Sequence, residues 1–228
     1  MTEETQNQLK IWQQNQRKLV EAHDGTLLAI SEEQDIICIQ EPYLNSIGLT
    51  TLPRGWIAIY PTTHRDDKRK RTRSLIMVNT KIRSDSWMQL DVHSTDITAI
   101  QLKGGIVDIN IYNIYNSCKN NNTLRTLKQH LEDRERKEMR QKEGEGAEKR
   151  QSVDIWLRDL NRHHPLWEDD NNDRLFTKKD LENAEVLIEM LAEHDMEMAL
   201  PKDIPTIRNS RGNLTRPDNV FITGEAAD

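Results

Sequence analysis

Apolar residues in this chain arrive in short runs, either alternating with polar ones or continuous over about four positions as in Leu75-Ile76-Met77-Val78, and turn-forming residues close each run. A period of two marks a half-buried strand and a short unbroken run a fully buried one, so the chain is committed to sheets before helices. Strands are expected at residues 9–14, 35–40, 56–60, 74–79, 87–91, 95–103 and 106–115, and again at 152–157, 196–199 and 219–223. Lys103-Gly104-Gly105-Ile106 reads as a tight hairpin, its adjacent glycines supplying positive φ. About ten strands are more than one twisted sheet holds readily. The fold class expected is therefore α/β (α+β), with two packed, mostly antiparallel sheets flanked by helices.

Helical spacing appears in three places. Residues 16–22 begin a helix that runs on toward Ile30, although Gly25 weakens it. Residues 178–193 place Leu181, Ala184, Leu187, Ile188 and Leu191 three and four apart, which makes one apolar face, and Thr177 stands where an N-cap belongs. From Thr123 a helix opens with Leu124, Leu127 and Leu131, and then its apolar face stops. Residues 132–150 hold seven basic and seven acidic side chains and read as a charged insertion, a solvated helix extension that ends in a flexible loop at Gly144 and Gly146, within a single domain spanning 1–228.

Composition excludes several function classes. With 32 Lys and Arg against 38 Asp and Glu, the formal charge is -6, which argues against an evenly basic nucleic-acid coat. No apolar stretch approaches the roughly 18 residues of a membrane span, so no membrane partner is expected. The first residues lack a charged segment followed by an apolar one, so the chain is expected to be intracellular, nuclear or cytoplasmic, and not secreted. Cys38 and Cys118 are the only cysteines; a disulfide framework is excluded, and Cys38 within Ile36-Ile37-Cys38-Ile39 reads as a small core residue. There is no Cys-x-x-Cys pair, and His163 and His164 are adjacent rather than a helical turn apart, so a thiolate or imidazole metal site is unsupported. The glycine-rich loops of nucleotide-binding proteins are absent too.

What remains is a set of polar residues at strand ends. Asn15 follows the first strand, Glu41 sits between Gln40 and the strand-stopping Pro42, Asp159 and Asn161 lie two apart, and Asp218 precedes the last apolar strand. Taken singly, each reads first as a turn-former. Taken together they make an oxygen-rich set suited to Mg²⁺, which takes one or two protein carboxylates and keeps water and substrate phosphate as its other ligands.

The ordered series Asn15, Gln40-Glu41-Pro42, Ile114-Tyr115-Asn116, Asp159-Leu160-Asn161 and Arg216-Pro217-Asp218-Asn219 resembles the endonuclease/exonuclease/phosphatase superfamily, which includes DNase I and the apurinic/apyrimidinic endonucleases. Within it, Ile11-Trp12-Gln13-Gln14-Asn15, Tyr60-Pro61-Thr62-Thr63-His64, Asn161-Arg162-His163-His164-Pro165-Leu166-Trp167 and Met196-Glu197-Met198-Ala199-Leu200-Pro201 look like endonuclease domains of non-LTR retrotransposons, especially fungal ones. The resemblance runs from about Leu9 to Phe221. It implies a DNase-I-like four-layer sandwich that hydrolyses DNA phosphodiester bonds with Mg²⁺, or Mn²⁺ in its place. It also implies roles. Glu41 would be the principal metal ligand with Asn15 beside it, Asp159 would orient and deprotonate the attacking water, and Asn161 would hydrogen-bond a non-bridging phosphate oxygen. Tyr115 would donate to the phosphoryl group, and Asp218 would hold a catalytic histidine in its productive tautomer. In that family the nick primes reverse transcription by a downstream domain, which this sequence does not contain.

Two features depart from the family pattern. The family closes with Ser-Asp-His or a variant, whose histidine contacts the scissile phosphate, whereas no histidine follows Asp218 here, so the domain is expected to be C-terminally incomplete and to lack its last strand. Removing such a group typically costs about 10²-fold or more in rate. Arg158 stands where the family usually has Gly; it either pairs with Asp159 and depresses its basicity or points away, as strand alternation allows. Residues 65–73 pack six basic side chains (Arg65, Lys68, Arg69, Lys70, Arg71, Arg73) among nine and read either as a phosphate-backbone clamp or as a solvated hairpin loop. Arg162, His163 and His164 are further candidates for DNA contact, while Pro165, Leu166 and Trp167 anchor their loop in the alternative reading. Two other functions stay open: a catalytically impaired remnant that keeps nucleic-acid or protein binding, and a phosphatase or phosphodiesterase of the same superfamily.

Overall fold

The computed structural model describes residues 8–30, 33–67, 71–142, 151–159, 161–202, 204–208, 212–216 and 218–224. Sheet one contains β1 (Ile11–Asn15), β2 (Ile36–Gln40), β3 (Trp56–Ile59) and β4 (Ser74–Asn79) in the order β1-β2-β4-β3, with β1 parallel to β2 and the rest antiparallel. Sheet two contains β5 (Trp87–Leu90), β6 (Ile97–Leu102), β7 (Val107–Tyr115), β8 (Gln151–Asp159) and β9 (Met196–Met198). The two-residue strands β10 (Ile207–Arg208) and β11 (Leu214–Thr215) pair with each other, and β12 (Asp218–Thr223) enters sheet two, whose order is β5-β6-β7-β8-β12-β9. The helices are α1 (Val20–Ala29), α2 (Asn122–Lys142) and α3 (Lys178–Glu193). β7 and β8 are parallel, and α2 makes the crossover between them.

Strand alternation builds the layers. Ile36, Cys38, Ile76 and Val78 of sheet one meet Ile100, Ile111 and Leu157 of sheet two in the space between the sheets. Ile37, Ile39, Leu75 and Met77 turn to the outer face of sheet one. On the outer face of sheet two, Tyr112, Ile114 and Trp156 pack under Leu124, Leu127 and Leu131 of α2 and Ala184, Leu187 and Met190 of α3. α3 is as the sequence predicts, closed by a capping box in which Thr177 accepts from the Asp180 N–H and the Asp180 carboxylate accepts from the Thr177 N–H.

One polar cluster ties the sheets together directly behind the strand ends. Asn113 of β7 donates to the carbonyls of Ile39 (2.9 Å) and Leu75 (2.8 Å), and its Oδ1 accepts from Gln40 Nε2 at 2.5 Å. Ser74 donates to the Asn113 carbonyl. All three side chains are fully buried. Sheet one is two strands narrower than sheet two, and the outer edge of β1 has no strand partner among the described residues. Ile155, Val220 and Ile222 of sheet two stand half-buried along the cleft beside that edge, which has a volume of about 1280 Å³.

Several sequence expectations are corrected. α1 begins at Val20 rather than at Gln16, because Arg17 and Lys18 adopt φ of 50° and 62°, which no helix accommodates. The hairpin at Gly104 and Gly105 forms, but neither glycine has positive φ; Gly104 is required because a Cβ there would lie 1.8 Å from the Val107 carbonyl oxygen. β8 runs on to Asp159, so Arg158 is a strand residue rather than the start of a loop. Residues 132–142 continue α2, as the expected helix extension does, but the extension is not wholly solvated: Arg134 is half-buried and grips Asp154 at 2.7 and 2.9 Å while donating to the Tyr112 hydroxyl. The remainder of that insertion, 143–150, lies outside the described residues. The β10–β11 hairpin and the 3-10 helix Asp170–Leu175 had no periodic signal.

Candidate active site

Strand register brings the polar strand ends together. Tyr115 and Asp159 are parallel partners at the ends of β7 and β8, Asp218 is the antiparallel partner of Asp159, and Asn15 is the partner of Gln40, next to Glu41. Asn15, Glu41, Tyr115, Asp159, Asn161 and Asp218 all line the one cleft at the end of the sandwich. Across it, Asn15 Nδ2 donates to Asp159 Oδ2 at 2.5 Å, joining the two sheets, while Asn15 Oδ1 accepts from the Arg17 N–H at 2.8 Å. The Asn161 N–H donates to Asp159 Oδ1 at 3.1 Å, and its amide holds the Asn116 carbonyl at 2.8 Å. Glu41 and Asn161 both have left-handed backbone, φ 45° and 48°. For Glu41, whose side chain gains nothing locally from that conformation, the strain is on the order of 1–3 kcal/mol, held in place by its neighbours.

The cleft is electrostatically loaded. Burial, and then the charge of Asp218, push the Asp159 carboxyl up to about 7, against the bonds it receives from Asn15 and Asn161. Burial also raises Asp218, whose Oδ1 is enclosed without a hydrogen-bond partner among the described residues. The Tyr115 phenol is pushed up to about 12 by burial and by Glu41, with Arg73 working in the opposite direction, so it stays protonated and able to donate. Lys18 Nζ lies 2.6 Å from Glu41 Oε1, so Glu41 already receives a cation.

The donor set is oxygen only. Among the described residues no three His, Cys, Asp or Glu side chains are close enough to enclose a metal ion. The carboxylates that line the cleft, Glu41, Asp159 and Asp218, are hard oxygen donors of the kind Mg²⁺ takes one or two of from a protein.

The basic candidates separate into three groups. Arg65 and Arg71 are exposed and, with Lys18 and His64, line a groove of about 780 Å³ beside Glu41 whose lining includes no acidic residue among those described. Lys68 and Arg69 lie outside the described residues. Arg73, Arg162, His163 and His164 are each engaged by the protein itself, and of these Arg162 is buried. Arg73 is held by Asp96. Arg162 is buried, donating to Asn121 Oδ1 and to the carbonyls of Asn120, Asn161 and Asn183. His163 Nδ1 lies 2.6 Å from Glu168, and His164 packs against Trp167 while its Nδ1 accepts from the Leu166 N–H. Arg158 faces away from Asp159, under Phe221 and Trp156, which decides between its two readings.

Sequence reasoning missed Lys18, Asp96 and Glu168. Nothing in their local pattern distinguishes them from surface charges. Glu168 is buried, and its carboxylate also accepts from the Arg216 N–H and from Asn172, which ties the loop after Asp159 to the segment before Asp218.

No protein-family model and no curated protein matches this sequence. Solved structures do match it. The endonuclease domain of TRAS1, a telomere-specific non-LTR retrotransposon, superposes with a TM-score of 0.64 at 19% identity, over 96% of this chain and 86% of that one. The AP endonuclease LMAP from Leishmania major gives 0.60 at 16% identity over 96% and 80%, and the 3′ phosphatase NExo from Neisseria, bound to a product DNA hairpin, gives 0.60 at 13% over 96% and 88%.

Proposed function

Starting from the DNase-I-like fold shared with those nucleases and phosphatases, we propose that this chain is a Mg²⁺-dependent endonuclease that nicks DNA by water attack on a phosphodiester. The observation that carries the reading is the convergence of Asn15, Glu41, Tyr115, Asp159, Asn161 and Asp218, drawn from both sheets, on one cleft. Glu41, with Asn15 alongside, holds Mg²⁺ or Mn²⁺; Lys18 marks a cation seat on Glu41. The ion supplies charge neutralisation on the phosphate. Asp159, titrating near neutrality, is matched to taking a proton from water, and Asn15 keeps its carboxylate aimed. Tyr115 and Asn161 donate to phosphoryl oxygens as charge develops there. The groove of Lys18, Arg65 and Arg71 carries the flanking DNA backbone. By kinship of fold, the nick serves insertion of a retroelement inside the cell, with a reverse transcriptase domain as partner.

A second reading rests on a specific observation. No histidine lines the cleft among the described residues, and Asp218 Oδ1, the atom that would orient one, has no partner. This favours an impaired enzyme that keeps nucleic-acid binding. Nicking of supercoiled plasmid with Mg²⁺ and with EDTA separates the readings, using the chain, Glu41→Ala, and a version extended by a strand with a Ser-Asp-His lead. Mg²⁺-dependent nicking lost in Glu41→Ala supports the first reading, and nicking by the extended version alone supports the second. Cleavage that survives Glu41→Ala refutes the metal-site assignment.

A further inference from the structure

We propose that the Arg73–Asp96 ion pair is a positioning device for Tyr115 and Glu41, and that Arg73 acts through them rather than by touching DNA. The inference rests on the roles given above to those two residues. Arg73 Nε and Nη2 grip the Asp96 carboxylate at 2.7 and 2.5 Å, a two-point contact that fixes the plane of the guanidinium. The face of that plane lies against the Tyr115 ring, with Cζ 4.6 Å from the ring centroid. Tyr115 is the last residue of β7, where the ladder ends, so the guanidinium supplies a stop that the sheet no longer provides.

The same pair laces the neighbouring backbone. The Tyr115 N–H donates to the Asp96 carbonyl, the Arg73 N–H to the Thr95 carbonyl, and the Glu41 N–H to the Arg73 carbonyl, each at 2.9 Å. Glu41 therefore keeps its left-handed backbone through a bond to the residue whose side chain braces Tyr115. Asp96 is itself held, its N–H donating to Ser94 Oγ and its Oδ2 accepting from Thr123 Oγ1 at the start of α2. Both partners are largely buried, with 29% and 13% of the side chains exposed, which leaves Arg73 poorly placed for a phosphate. A lysine keeps the charge but supplies neither the two-point grip nor a flat face.

The test uses the full chain labelled with 3-fluorotyrosine, whose four lines include Tyr115, identified by Tyr115→Phe. Plasmid nicking with Mg²⁺ is measured for Arg73→Lys, Asp96→Asn, Tyr115→Phe and the double variant Asp96→Asn/Tyr115→Phe. A misplacement of about 1 Å costs up to about 10²-fold, so Arg73→Lys and Asp96→Asn should each lower kcat by about ten- to a hundredfold, with KM within about twofold. The double variant should fall by less than the product of the two single losses, because the Tyr115 part is shared and only the Glu41 part remains, whereas fully multiplicative losses overturn the coupling to Tyr115; the Tyr115 fluorine line alone should move in the two charge variants. A raised KM with intact kcat and a salt slope reduced by about one makes Arg73 a DNA contact and overturns the proposal. Collapse of all four lines makes the pair a brace of the whole fold and overturns it too. If the unaltered chain does not nick, the functional reading fails while the Tyr115 line still decides the positioning.

Discussion

Replacing Arg158 with methionine should stabilise this protein. Arg158 is fully buried in the middle of the outer layer of sheet two, and its Nε, Nη1 and Nη2 have no hydrogen-bond partner among the described residues. Its register partner Asn219 has both amide atoms unpartnered as well. Burial drives its ionisation well below the usual arginine range, so the site penalises the guanidinium. Three unmet donors at about 2 kcal/mol each amount to roughly 6 kcal/mol. Stacking returns part of this: Cζ lies 3.9 Å from the Phe221 centroid and 5.2 Å from that of Trp156, and two desolvated cation–π contacts contribute at most about 4 kcal/mol. Methionine keeps the length and the contact with both rings without the donors. The net gain is on the order of 2 kcal/mol, which for a chain of this size raises Tm by roughly 4–8 °C. Thermal and urea unfolding measure it, with an unchanged urea m-value expected. A Tm that falls by several degrees refutes the reasoning, because it means that Arg158 has a polar partner in solution.

Three other perturbations probe the site and its support. In EDTA, Asp159 is an acid whose folded-state value of about 7 lies above the roughly 3.9 of an unfolded chain, so stability falls as pH rises through that window and is level above it. Asp159→Asn should therefore gain stability over the parent progressively from about pH 4 to 7, by as much as about 4 kcal/mol, and a gap that does not vary with pH in urea melts refutes this. Asn113→Ala orphans Gln40 and the Ile39 and Leu75 carbonyls in a dry interior, and should cost about 3–5 kcal/mol in urea unfolding; a loss under 1 kcal/mol counts against the polar stitch. Arg65→Ala and Arg71→Ala should each reduce the salt slope of DNA binding by about one while leaving Tm alone, whereas Arg162→Ala should lower Tm, and the reverse pattern refutes the sorting of these cations.

The sandwich was legible because β-period runs announce themselves without tertiary context: β4 and α3 match their expected limits, and the unbroken apolar run Ile36 to Ile39 is buried on both faces of its sheet. The site was legible only as an ordered set. Asn15, Glu41, Tyr115, Asp159 and Asp218 all stand at strand ends, and register, which no single run specifies, brings them together. What stayed hidden is contact over long sequence separation. Arg73 and Asp96 are 23 residues apart, and Asn113 reaches 74 residues back to Ile39, so a charge run and a strand-interior amide gave no sign of their partners. Arg162 shows the opposite failure, since a basic residue beside an Asp-x-Asn motif invites a substrate role until its carbonyl ligands are seen.

On the function proposed above, the cleft groups divide by the part of the reaction they would serve. Glu41, Tyr115, Asp159 and Asn161 would address the metal, the phosphoryl oxygens and the water, and all four have defined partners or perturbed chemistry suited to those tasks. In that division the departing oxygen falls to Asp218, whose Oδ1 has no partner among the described residues, none of which places a histidine in the cleft. When water displaces one ester oxygen of a phosphodiester, negative charge develops on the departing oxygen, so an unsupported leaving group is felt in proportion to its basicity. A nitrophenyl ester of a nucleotide, whose leaving group departs without help, should therefore lose far less relative to an enzyme of this fold with a histidine in the cleft than a DNA phosphodiester, whose sugar alkoxide needs stabilising. Equal deficits on both substrates place the fault in the metal and water half instead.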